Sequence, residues 1–246
     1  MLELLFPNLC ASCGSKPVAG KEICNKCEEE IDFLEEFSVC AQCGVPFGYF
    51  DSRASQSMDI PQEAENPHLC AKCLKGRYSF NRARSVAVYR GPIREMLHAF
   101  KYEGKLKLAR SLSDTMIEHM PFNMENVDVL VPVPLYIGKL RQREYNQSSV
   151  LAADIARHTG VCVNLMGLVK VRDTLPQIEI RDEAARRKNV RGAFQVRDKN
   201  TFQGCSVLLI DDVFTTGSTS NECAKTLLKS GALSAEVLTL ARARGI

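Results

Sequence analysis

The chain has 246 residues, enough to bury a sizeable core as one or two domains. Its 45% hydrophobic and 25% charged content is ordinary for a globular protein, and no stretch approaches the length of apolar run that a membrane-spanning helix requires. Net charge is +3 but unevenly spread, −5 over residues 1–80 and +8 over residues 81–246. The second part therefore suits an anionic partner, a phosphate-rich ligand and nucleic acid alike, or carries a solvated basic surface.

Met1–Pro7 has no basic segment and contains Glu3, which argues against a secretory signal and sets a cytoplasmic location as the expectation. Eight of the eleven cysteines then form four CxxC pairs: Cys10/Cys13, Cys24/Cys27, Cys40/Cys43 and Cys70/Cys73. A CxxC turn aims two thiolates at one ion, and two such turns complete a tetrahedral zinc site. Gly14 and Gly44 follow the second cysteine of their pairs, where a tight knuckle needs glycine. A redox dithiol needs only one such pair, disulfides do not suit a reducing compartment, and an iron–sulfur cluster fits the regular spacing less well than zinc. The simplest pairing is sequential, giving two ions, although spacing also permits an interleaved one. His68, beside Cys70, is a further candidate ligand. Gly48–Pro67 is polar and aperiodic, the pattern of a mobile loop. With so few apolar runs, residues 1–78 are expected to form a small zinc-dependent module. Cys162, Cys205 and Cys223 read as packed thiols.

From residue 79 onward the pattern is strand and helix in alternation. Strands are expected at Ser85–Arg90, Val127–Pro134, Val161–Leu165, Val207–Ile210 and Ala235–Ala241. Helices are expected at Pro92–Lys101, Lys105–Met120, Ser148–Thr159 and Ser218–Ser230, with Gly160 stopping the third. This alternation predicts an α/β domain over 79–246, a mainly parallel sheet with helices on both faces and ligands beyond the carboxyl ends of its strands.

The stretch Val207–Thr219 is the most informative. A buried strand delivers Asp211 and Asp212, and Thr215, Thr216, Gly217, Ser218 and Thr219 open the next helix. A helix N-terminus with hydroxyls and a glycine suits a phosphate group, and two adjacent acids can accept hydrogen bonds from a ribose diol. A Walker-type lysine is absent. The segment resembles the 5-phosphoribosyl-1-pyrophosphate signature of type I phosphoribosyltransferases, which implies that fold, with Asp211 and Asp212 on the ribose and Thr215–Thr219 around the 5-phosphate. Lys139, Arg141 and Arg143, in a basic loop after the Val127 strand, correspond to the loop that holds pyrophosphate in those enzymes. Arg186, Arg187 and Lys188 match the mobile loop over the reacting centre, or equally an exposed helix face.

The whole chain resembles the ComF family of competence-related proteins, with GntX-like proteins as near relatives. The matching features are the CxxC series, Phe100–Tyr102, Val131–Pro134, Tyr145–Ser148, Thr174–Gln177, Arg187–Asn189 with Ala193–Phe194, and the Asp211–Thr219 loop. Where the family often has Arg-Gly-Phe-Asn-Gln, this chain has Arg143-Glu-Tyr-Asn-Gln147. The resemblance implies binding of phosphoribosyl pyrophosphate, with magnesium, and handling of single-stranded DNA in natural transformation, alongside other DNA-uptake proteins. The alternatives are an active phosphoribosyltransferase of nucleotide salvage or biosynthesis with an appended zinc module, and a sensor built on the same fold.

Overall fold

The structure is a computed structural model that describes residues 9–14, 22–47, 68–76, 78–175, 180 and 182–243. The Gly48–Pro67 segment and Met1–Pro7 lie outside the described residues. Among those described, strands β1 (Ala83–Val88), β2 (Val129–Pro132), β3 (Cys162–Val163), β6 (Ser206–Phe214) and β7 (Ser234–Arg242) form one parallel sheet in the order β1-β7-β6-β2-β3. The intervening β4 (Leu168–Lys170) and β5 (Phe194–Val196) pair with each other in an antiparallel hairpin.

Alternation along the buried strands divides the interior in two. Leu130, Leu208, Ile210, Leu238 and Leu240 face a core shared with α3 (Gly91–Tyr102), α4 (Leu108–Glu118) and α6 (Gln147–Thr159). Val129, Val131, Val207, Leu209 and Val237 face the other core, with the hairpin, α8 (Ser218–Lys229) and Val190 of α7 (Glu183–Val190). Both faces are apolar because both are covered, as a parallel sheet requires. Gly160 adopts φ 75 at the end of α6 and stops it as expected.

The N-terminal module, which contains the short helices α1 (Asn25–Glu29) and α2 (Ala71–Leu74), wraps the β1 edge of the sheet. Phe33 bridges Ala87, the Val88 amide donates to Asp32 O at 2.9 Å, and the Ala83 amide donates to Gln42 O at 2.7 Å. An open edge strand is a template for aggregation, and here the module satisfies its donors. Cys10, Ile23 and Cys27 join the first core, whereas Cys40, Cys43, Cys73 and Phe80 join the second.

Three expectations need correction, and one element is unforeseen. Strand β6 runs on to Phe214, because β7 continues to pair with it after β2 has ended at Pro132, opposite Ile210. The basic segment after β2 is a short helix, α5 (Ile137–Arg143), rather than a loop. The β4–β5 hairpin has strands too short for their periodicity to register. Cys162 is exposed, because β3 is a two-residue edge strand, while Cys223 is buried and Cys205 half-buried.

Candidate functional site

The eight cysteines gather sequentially. Sγ atoms of Cys10, Cys13, Cys24 and Cys27 lie within 4.8 Å of one another, as do those of Cys40, Cys43, Cys70 and Cys73. A tetrahedral ion with Zn–S bonds of about 2.3 Å sets its sulfurs about 3.8 Å apart. Here Cys13 and Cys24 are at 3.9 Å and Cys43 and Cys70 at 3.7 Å. Backbone amides of Cys24 and Cys70 donate to Cys10 Sγ and Cys40 Sγ at 3.4 and 3.3 Å. Burial, with neighbouring thiols, pushes Cys27 up to about 12, and burial with Cys40 pushes Cys43 up to about 11. Four thiolates held this close therefore need a cation, and the donor set fits zinc. Both sets are complete with cysteine, so His68 is not required.

At the carboxyl end of the sheet, Pro134 offers no amide, and the β2–β6 ladder ends at Pro132 and Ile210. From β2 the chain proceeds outward to β3, and from β6 it proceeds the other way to β7. The crevice between them is the topological switch point, where α/β sheets take ligands. A cleft of about 1760 Å³ opens there, walled by the sheet ends, α3, α5, α7 and the second cysteine cluster.

Asp211 and Asp212 sit at its floor in different surroundings. Asp211 Oδ1 accepts from Ser148 Oγ at 2.9 Å, and burial, then the Asp212 charge, pushes its carboxyl up to about 7. Asp212 Oδ2 pairs with Lys101 Nζ at 2.9 Å. Burial works against the Lys101 ammonium, but Asp212 outweighs it and holds its pKa above the ordinary lysine value. In the sequence Lys101 stands out only as the end of the Pro92–Lys101 helix and the middle of Phe100–Tyr102. A pairing across 111 residues leaves no local signal.

Beside the acids, Gly217 caps α8 with φ 72, and Thr216 Oγ1 lies 2.9 Å from Ser218 Oγ. The positive end of a twelve-residue helix and these hydroxyls form a cradle whose chemistry suits an anion. The junction between the N-terminal module and the sheet domain holds it in place. Tyr78 Oη donates to Thr216 O at 3.0 Å, and the Ser79 amide donates to Asn221 Oδ1 at 2.6 Å. Arg242 donates through Nη1 to Cys43 O at 2.7 Å while its guanidinium covers the Phe214 ring at 4.5 Å.

Of the basic candidates, Lys139, Arg143 and Arg186 line the cleft. Arg141, Arg187 and Lys188 are exposed and are not part of its wall. Helix α7 thus divides the Arg186–Lys188 run, with Arg186 buried against Ile180 O at 2.6 Å and its neighbours in solvent. Lys170 joins Lys139 at the cleft, both donating to Thr174. Burial and the neighbouring Lys139 hold Lys170 below the ordinary lysine pKa, and among the described residues neither pairs with a carboxylate. Two unneutralised ammoniums near the acid pair suit a polyanion.

Residues 1–74 match the family described as a double zinc ribbon domain. Over 247 residues the chain is 28% identical to DNA utilization protein YhgH of Salmonella typhi, covering 97% of this chain and 99% of the relative. It is 29% identical to competence protein F of Haemophilus influenzae, covering 95% and 96%. It is 24% identical to competence protein ComFC of Bacillus subtilis, covering 90% and 85%. Among solved structures it is similar to the glutamine phosphoribosylpyrophosphate amidotransferase of B. subtilis, at 21% identity and a TM-score of 0.36 over 53% of this chain and 25% of that one. It is also similar to hypoxanthine phosphoribosyltransferase of Trypanosoma cruzi, at 14% identity and a TM-score of 0.31 over 56% and 62%. Among the described residues no helix is long and apolar enough to cross a membrane.

Proposed function

We propose, on the premise that this chain is a homologue of the ComF-type competence proteins, that it binds a phosphoribosyl-pyrophosphate-like ligand and handles single-stranded DNA in natural transformation. The observation that carries the ligand half is the joint placement of the Gly217–Thr219 cradle and the Asp211–Asp212 pair at the switch point of the sheet. In this reading the cradle takes the 5-phosphate, the acids accept from the ribose hydroxyls, and Lys139 and Lys170 face the pyrophosphate. Asp211 and Asp212 already accept from Ser148 and Lys101. Magnesium, if it accompanies the pyrophosphate, would neutralise part of its charge and would be held mainly by phosphate oxygens, while Asp211 and Asp212 serve the ribose. The DNA half is supported by the names of the relatives and by the positive balance of residues 81–246.

Thermal unfolding tests the ligand half. Saturating phosphoribosyl pyrophosphate with magnesium raises the midpoint, and ribose 5-phosphate raises it less. An unchanged midpoint with both would remove the ligand from this account.

A second reading, an active phosphoribosyltransferase of nucleotide salvage or biosynthesis, is favoured by the Lys139–Lys170 pair, which could steady a departing pyrophosphate. There a nucleophile bonds to ribose C1 as the C1–O bond to pyrophosphate breaks. Pyrophosphate release in the presence of a panel of nucleobases supports it; release with none of them, while binding persists, leaves the binding role.

A further inference from the structure

The cleft is larger than a mononucleotide-sized ligand needs. Small-molecule sites occupy roughly 300–1,000 Å³, whereas this one reaches about 1760 Å³. The surplus runs outward along α3. Arg94, His98 and Tyr102 follow one another at intervals of four residues, so they form one stripe on that helix. All three are exposed, and all three line the cleft. The opposite side of α3 buries Ile93, Met96, Leu97 and Phe100 in the core, so the stripe is not needed for packing.

The chemistry of the stripe is specific. Tyr102 is 62% exposed, a large value for an aromatic ring at the lip of a cleft. The Arg143 guanidinium sits over it at 5.0 Å, and the His98 ring lies 5.0 Å away, tilted by 47°. Among the described residues neither Arg94 nor Arg143 is within salt-bridge reach of a carboxylate. One unneutralised guanidinium, Arg143, thus sits at the exposed ring and another, Arg94, lies two turns back along the helix, while Lys101, one residue before Tyr102, reaches Asp212 at the floor. The stripe therefore begins where the phosphoribosyl site ends.

We propose that the Arg94–His98–Tyr102 face of α3, together with Arg143, is the track on which a single-stranded nucleic acid lies as it approaches the phosphoribosyl site. Eight residues of helix advance about 12 Å, room for three or four bases at the stacked spacing of about 3.4 Å. Bases stack on Tyr102, and phosphates meet Arg94 and Arg143. A duplex hides its base faces and gains nothing from the ring. This placement rests on the DNA half of the proposed function and adds the surface that the half lacks.

Fluorescence anisotropy of a labelled oligothymidylate over a salt series tests it, using the whole zinc-loaded protein and the variants Tyr102→Ala and Arg94→Glu. Tyr102→Ala weakens the single strand about tenfold. Arg94→Glu lowers the log–log salt slope by about 0.7 or more, as expected when a phosphate contact is lost. Both variants keep the wild-type melting temperature within about 2 °C, because both side chains are exposed. Unchanged affinity and slope in both variants, with wild type binding normally, overturns the track and leaves the proposed function standing. Equal affinity for a duplex competitor also overturns it. No binding by wild type at low salt removes the DNA half of the function itself, and the track with it.

Discussion

Replacing Gly217 by alanine tests whether the cradle is as tightly built as it looks. Gly217 has φ 72, and a Cβ there would lie 2.5 Å from Phe214 Cζ and 3.1 Å from Tyr78 Cε1. The left-handed conformation alone costs alanine about 1–2 kcal/mol. The clash adds about 1–3 kcal/mol, since an overpacked core must distort. Phe214 cannot yield cheaply: it is 1% exposed, covered by Arg242 at 4.5 Å and set edge-on to Phe80 at 6.1 Å. Together these give about 2–5 kcal/mol, which for a protein of this size lowers the melting midpoint by roughly 4–20 °C. Tyr78 also holds the Thr216 carbonyl, so the same strain displaces the cradle. Scanning calorimetry with and without phosphoribosyl pyrophosphate and magnesium checks both effects. A Gly217→Ala protein with an unchanged midpoint and unchanged ligand shift would refute the argument for a fixed, glycine-dependent loop.

Glu144 is the one non-glycine with positive φ among the described residues, at 67, and it ends α5 where helices favour glycine. Glu144→Gly is expected to stabilise the protein by about 1 kcal/mol and raise its midpoint by about 2–4 °C in the same calorimeter. Asp211, raised from 3.8 to about 7 by burial and by Asp212, accepts from a diol far more strongly when ionised. Ligand affinity should therefore rise about tenfold from pH 6 to pH 8 by titration calorimetry, and Asp211→Asn should flatten that rise. The linkage to stability has the opposite sign. The folded state holds the extra proton between about pH 4 and pH 7, so the unliganded protein loses this contribution as pH rises through that window. Strong chelation should release about two zinc equivalents per chain in a colorimetric assay. Cys40→Ser should weaken ligand binding more than Cys10→Ser, because the Cys40–Cys43 knuckle receives Arg84 and Arg242 and lies against the cradle.

The parts legible in the sequence were those whose chemistry is local. CxxC spacing announces a thiolate site because both ligands come from one turn, and an acid pair followed by Thr215–Thr219 announces an anion site because strand, loop and helix start are contiguous. The parallel sheet followed from apolar β-branched runs such as Val129–Pro132. What escaped notice depends on contacts between distant segments. Lys101 meets Asp212 only after α3 and β6 share a sheet end. Lys170 joins Lys139 only because Tyr136, just before α5, bridges to Lys170 and so brings both ammoniums to Thr174. The basic residues looked equivalent in sequence, yet helical phase turns Arg186 inward and leaves Arg187 and Lys188 in solvent. The zinc module read as a separate unit, since nothing in its spacing says that Asp32 and Gln42 complete the hydrogen bonding of an edge strand. Glu144 was noticed as a departure from a family pattern, and its backbone angle explains why glycine is common at that position.

The central claim is that Asp211 and Asp212 and the Gly217–Thr219 cradle form one phosphoribosyl site. Titration calorimetry of phosphoribosyl pyrophosphate with magnesium into wild type and into the Asp211→Ala/Asp212→Ala protein tests it most directly. The account predicts saturable binding at one site per chain in wild type, and a loss of at least about a hundredfold in the variant, since two charged acceptors are each worth about 1.5–3 kcal/mol. Equal affinity in the two proteins would contradict it.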